Sequence, residues 1–122
     1  MLEKLSQFFD MPMLYALTFF CAGHVLGWYA INAQLAWEFW KNKPLLSVTL
    51  FGVPASLMFW YGTKFVMDSQ PELWTARIMG GVISYLTFPL MTWFYLGESM
   101  FTIKTMLCVI LAFIILLIQI FL

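Results

Sequence analysis

The chain has 122 residues, of which 63% are hydrophobic and only 10% charged. A typical soluble domain carries about 25% charged residues, and a domain this small leaves much of its surface in water. A soluble monomer and a disordered chain are therefore both excluded. The formal net charge is zero, which leaves no basic footprint for nucleic acid.

The charges are confined to short stretches. No Asp, Glu, Lys or Arg occurs in Met11–Trp37, Pro44–Thr63, Ile78–Gly97 or Thr105–Leu122. Each block is long enough for a helix that crosses a hydrocarbon core, which takes about 20 residues. The pattern predicts an all-α integral membrane protein, a single domain over residues 1–122 with four transmembrane helices.

Residues 1–10 (MLEKLSQFFD) form a short interfacial segment. No small-residue cleavage site follows the first apolar block, so no signal peptide is expected. Asp10 before Met11-Pro12 is a helix start, because Asp caps and Pro suits the first turn. The first span then covers about 12–40, its last part more polar but holding Trp37 and Trp40. Lys41-Asn42-Lys43-Pro44 is a turn. The second span covers about 45–67, with a kink expected at Pro54. Asp68 to Glu72 is the next turn, and the third span covers about 73–96, with Gly80, Gly81 and Pro89 inside it. Gly97-Glu98-Ser99 is a tight connection to the fourth span, about 100–122, whose one polar residue near the end is Gln119.

Four crossings place both termini on one side, here side A. Trp60, Tyr61 and Trp74 then fall on side A, and Trp37, Trp40, Trp93 and Tyr95 on side B, as expected of aromatic belts at both interfaces. Side A carries Lys4, Lys64 and Arg77; side B carries Lys41, Lys43 and Lys104. This balance gives the positive-inside rule nothing to act on. Either the first helix alone or an insertion partner then decides the orientation, or the chain inserts both ways and pairs antiparallel.

His24 is the one ionisable side chain near the middle of a span. A residue of that kind is costly at such depth and usually faces the bundle interior or a cavity. Burial disfavours the charged imidazolium, so a neutral ring is expected, either in a substrate or proton site or as a buried histidine bonding a neighbouring carbonyl or hydroxyl. Gly23 and Gly27 flank it in a small-x-x-x-small pattern of the kind that lets helices approach closely. Ala16, Phe20 and Ala30 extend that narrow face. Gly80 and Gly81 form a candidate hinge, and Ser84 and Thr87 are available to backbone groups freed near Pro89. Arg77, Asp68 and Glu72 are expected to form a solvated charge patch on side A, with Lys64 snorkelling to the same interface.

Cys21 and Cys108 both lie in apolar blocks at different depths and are expected to remain unpaired, as small hydrophobes. One His and two distant Cys make no metal constellation. There is no phosphate-cradling glycine loop, nucleophile elbow or pair of intramembrane carboxylates. No cofactor and no enzymatic activity are expected.

The second half carries a further pattern. Ile78-Met79-Gly80-Gly81-Val82 precedes an apolar stretch; Trp93-Phe94-Tyr95-Leu96-Gly97-Glu98-Ser99 and a final apolar helix follow. This resembles the last two helices of the drug/metabolite transporter superfamily, joined by an aromatic-Leu-Gly-Glu turn. The size and four spans resemble its smallest branch, the small multidrug resistance family. Gly23-His24-Val25-Leu26-Gly27 resembles that family's first-helix motif, with His24 where the family has an essential Glu. Gly80 stands where the family has a Trp. The resemblance implies a small multidrug resistance-like bundle that works as a homodimer, antiparallel and often of dual topology, among the lipids of a bacterial cytoplasmic (inner) membrane. A histidine supplies no negative charge. The implied substrate is therefore small and neutral, anionic or lipid-like rather than cationic, moved by alternating access, and His24 retains the capacity of a proton switch. The alternative expectation is a non-transporting membrane subunit or scaffold that stabilises a larger complex.

Overall fold

The computed structural model describes residues 1–122 and is helical throughout. A short helix α1 (Leu2–Phe8) precedes four long ones: α2 (Met11–Ala36), α3 (Pro44–Ser69), α4 (Leu73–Leu96) and α5 (Ile103–Phe121). All four long helices are long and apolar enough to cross a membrane. The chain is a multi-pass integral membrane protein.

The expected start of α2 forms as an N-cap. Asp10 Oδ1 accepts from the Met13 amide at 3.0 Å, satisfying one of the orphan donors of the first turn. The same oxygen accepts from Ser69 Oγ at 2.6 Å, so the cap also ties the start of α2 to the end of α3. The other end of α2 differs from the expectation. The α-helix stops at Ala36, Trp37 is extended, and Glu38–Trp40 form a 3-10 turn. The Trp37 ring packs against Tyr29 and Tyr95 at 6.1 and 5.1 Å.

In α3 the expected kink takes the form of a π turn over Val48–Gly52. Pro54 has no amide hydrogen, and its ring crowds the carbonyl four residues back. Widening the preceding turn relieves both problems. Ser47, just ahead of the π turn, donates to the Ala30 carbonyl at 2.8 Å and fixes α3 against α2.

Gly97 ends α4 with φ 72° and its amide on the Trp93 carbonyl at 3.0 Å. This left-handed cap suits glycine because it lacks a Cβ. Helix α5 begins at Ile103 rather than near Met100, because Thr102 Oγ1 caps it by accepting from the Thr105 amide.

The core lies in the side-A half. Phe8, Met13, Ala16 and Phe20 pack there with Val66, Ala76, Met79 and Ile120. Helix α1 closes this end, where Lys4 Nζ donates to the Phe121 carbonyl at 2.8 Å. Gln119 Nε2 donates to Oγ1 of the buried Thr75 at 2.7 Å, which gives the lone polar residue of α5 a partner on α4.

Candidate functional site: a groove at mid-membrane

Helices α2 and α3 cross-brace through two phenylalanines and two glycines. A Cβ on Gly62 would lie 2.6 Å from the Phe20 ring, and one on Gly23 would lie 2.8 Å from the Phe59 ring. Each ring thus rests on the bare backbone of the opposite helix. Three residues forward on α2 match three residues back on α3, the register of an antiparallel pair.

This bracing sets the floor of a groove of about 870 Å³. Helix α2 contributes Phe20 and His24, and α3 contributes Phe59 and Thr63. The α4 wall includes Trp74, Arg77, Gly80, Gly81, Ser84 and Tyr85, a spacing that keeps them on one face of a helix. The volume falls in the range of small-molecule sites, about 300–1,000 Å³. Leu73, Trp74 and Tyr85 are exposed, so the groove opens sideways between membrane-spanning helices.

His24 lies at the midpoint of α2 and is half-buried. Its Nε2 sits 2.7 Å from the Gly80 carbonyl. A carbonyl oxygen only accepts, so Nε2 carries the hydrogen. In the neutral ring Nδ1 is then left as an acceptor. The ring also meets Phe59 edge-on at 4.8 Å. Placement near a cavity follows the expectation from depth alone.

The glycines divide by role. Gly23 makes a close approach beneath Phe59, whereas nothing lies within 4 Å of a Cβ on Gly27. The Gly23/Gly27 pair is therefore not one packing face within the protomer. The glycine that matches Gly23 is Gly62, on the other helix. Helix α4 runs unbroken through Gly80 and Gly81. There the two glycines leave the Gly80 carbonyl open to His24 and add free space to the groove, since Gly81 has no neighbour within 4 Å of a Cβ. Thr87 Oγ1, two residues ahead of Pro89, donates to the Ile83 carbonyl at 2.9 Å.

Asp68, Glu72 and Arg77 are all exposed near side A, with no ion pair among them. The single ion pair of the chain is Lys41–Glu38 at 3.9 Å, on side B. Glu72 accepts from Thr75 instead, and Arg77 lines the groove without a carboxylate partner. The spacing of Arg77, Gly81 and Ser84 on one helix face was the available signal for this placement. Phe59, Thr63 and Trp74 carried no comparable signal. Cys21 and Cys108 are free thiols. No group of three or more His, Cys, Asp or Glu is placed to hold a metal ion.

The fold and the groove together define a small multi-pass helical membrane protein with a laterally open, mostly apolar site. No protein-family model matches the chain, and no solved structure matches it. A 76-residue stretch is 33% identical to GPI mannosyltransferase 4 of Emericella nidulans, covering 59% of this chain. The chain spans only 13% of that relative's length.

Proposed function

We propose that the protein is a small membrane transporter of the drug/metabolite type, working as a homodimer in a cytoplasmic membrane. The observation that carries this reading is His24, held at mid-membrane by the Gly80 carbonyl on the floor of the groove. Ionisable residues at that depth mark substrate or ion pathways. A groove with one neutral hydrogen-bonding ring, a threonine, a serine and an arginine among apolar walls suits a small neutral, anionic or lipid-like solute. Alternating access would need α4 to move against α2. The His24–Gly80 bond is the contact that such a movement breaks and remakes.

The test uses vesicles carrying purified protein and loaded with a metabolite extract, with efflux followed by mass spectrometry. At least one compound should leave faster than from protein-free vesicles. His24→Ala should abolish that difference while the elution volume of the purified protein stays the same. Efflux unchanged in the variant overturns the role of His24, and no protein-dependent efflux overturns transport.

The second reading is a non-transporting membrane subunit or scaffold that stabilises a larger complex. Native mass spectrometry of gently extracted protein separates the two. A homodimer supports the transporter, and a fixed-ratio complex with other chains supports the subunit.

A further inference from the structure

Arg77, through its guanidinium, is the one permanently charged side chain that lines the groove. It is exposed, one turn inside α4, at the side-A end of the groove, with no carboxylate within 4 Å. The carboxylates nearest in sequence do not serve it: Glu72 accepts from Thr75, and Asp68 makes no ion pair. An unpaired charge at the edge of a low-dielectric region gains by meeting an opposite one.

His24 is not a second anchor for an anion. Its Nε2 is committed to the Gly80 carbonyl, and the remaining nitrogen of the neutral ring is an acceptor. Gly80 lies three residues beyond Arg77, on the order of 4.5 Å along the helix axis. The groove therefore has a cationic end toward side A and an acceptor about one turn deeper, with the Phe20 and Phe59 rings on its floor. Its side opening faces the membrane plane.

From this polarity we infer that the groove takes a single-chain amphiphile with an anionic head, a carboxylate or phosphate monoester, drawn from the lipid phase. The head pairs with Arg77 and the apolar chain lies along the aromatic floor. This substrate class rests on the transporter reading above, but binding can be measured without transport.

Trp74 lines the groove beside Arg77 and is the one tryptophan to do so among the six in the chain. Stearate with a nitroxide at carbon 5 is therefore a direct probe. It should quench the fluorescence of the purified protein in neutral detergent saturably. Its methyl ester should bind about tenfold more weakly, since charge-assisted hydrogen bonds contribute on that scale. Trp74→Phe should remove the saturable part. Arg77→Gln should weaken the acid about tenfold and leave the ester alone, and Arg77→Lys, which keeps the charge but not the planar fork, should fall between the two.

Equal quenching by acid and ester, or no effect of Arg77→Gln, overturns the inference and leaves Arg77 snorkelling to the interface. Shielding of Trp74 from both probes overturns it in favour of a second copy covering the groove. Competition by acetate or inorganic phosphate as strong as by unlabelled stearate overturns the amphiphile in favour of a free anion. Saturable binding of the acid with no efflux overturns transport alone, whereas efflux of some other compound with no binding of the acid overturns the substrate class alone.

Discussion

The two ends of the bundle are held by different physics. On side A, tight packing leads, and hydrogen bonds from Ser69 to Asp10 and from Gln119 to Thr75 add to it: Met13, Phe20, Val66 and Met79 are almost completely buried, and Phe20 rests directly on Gly62. On side B, hydrogen bonds between aromatic side chains and their neighbours take over. Trp28 Nε1 donates to Thr92 Oγ1 at 3.1 Å, and the Tyr29 and Tyr95 hydroxyls bond each other. Beside them an open cup is lined by Tyr29, Trp37, Phe39, Trp40, Phe51 and Tyr95. Interlocked shapes tolerate little movement, whereas a few hydrogen bonds can exchange partners. The groove with His24 lies where the two regimes meet. Side A is therefore the more fixed end and side B the more adjustable one.

The most damaging substitution should be Gly62→Leu. Even a Cβ at that position falls 2.6 Å from a ring that is itself only 2% exposed. Overpacking typically costs about 1–3 kcal/mol, and here the obstacle is a rigid ring among buried neighbours. Loss of the folded monomer in detergent is expected, read as a shift to the void volume on size exclusion. Gly62→Ala should fold but melt earlier, with a loss of about 1–3 kcal/mol. Full stability of both variants would show that α2 and α3 slide freely and that side A is not the fixed end.

Thr92→Val tests the other regime. Thr92 and Trp28 are both buried, so the substitution leaves the indole N–H without its partner. In membrane proteins such bonds average about 0.6 kcal/mol, with a maximum near 1.7. A destabilisation in that range is expected, with an unchanged fold by circular dichroism. A loss as large as that of Gly62→Ala would erase the contrast between the ends.

How much of this was legible in the sequence follows from the same contrast. The four spans, the Asp10 cap and the Gly97 stop are local, each written in a few adjacent residues by charge, proline or glycine. His24 stood out because depth alone makes an ionisable group costly. The partnership of Phe20 with Gly62 was not legible, because it depends on the register between two helices far apart in sequence. Read along one helix, Gly23 and Gly27 form a pair. In three dimensions Gly23 belongs with Phe59, and Gly27 is left open. The early end of α2 was hidden for a similar reason: Asn32–Trp40 has no breaker, and the extended Trp37 packs against Tyr95 in another helix. Arg77 reads from the sequence as a side-A surface charge alongside Asp68 and Glu72, and all three are exposed; that Arg77 also lines the groove depends on the turn of α4.

Asp10→Ala should have a moderate effect at side A. It removes both the cap on the Met13 amide and the acceptor for Ser69. Loss of an N-cap costs about 0.5–2 kcal/mol, measurable as a lowered midpoint of thermal unfolding in detergent. Ser69→Ala should cost less, since it leaves the cap in place. If Ser69→Ala equals Asp10→Ala, the tie to α3 rather than the cap is what Asp10 contributes.

The smallest effect is expected at Gly27, and its smallness carries information. Gly23 and Gly27 lie on one helix, one turn apart, yet only Gly23 lies under a ring. Gly27→Ala places a methyl in open space and should also improve helix propensity, worth about 0.8–1.0 kcal/mol in an exposed helix interior. Protomer stability should therefore stay level or rise slightly, measured on protein diluted to the monomer. Gly23→Ala drives its Cβ against the Phe59 ring and should fall by about 1–3 kcal/mol under the same conditions. If Gly27→Ala leaves the diluted protomer unchanged but lowers the midpoint at high concentration, the open face at Gly27 is where copies meet. If the two alanine variants fall equally, the glycines do act as one packing face, and the register of α2 against α3 described above is wrong.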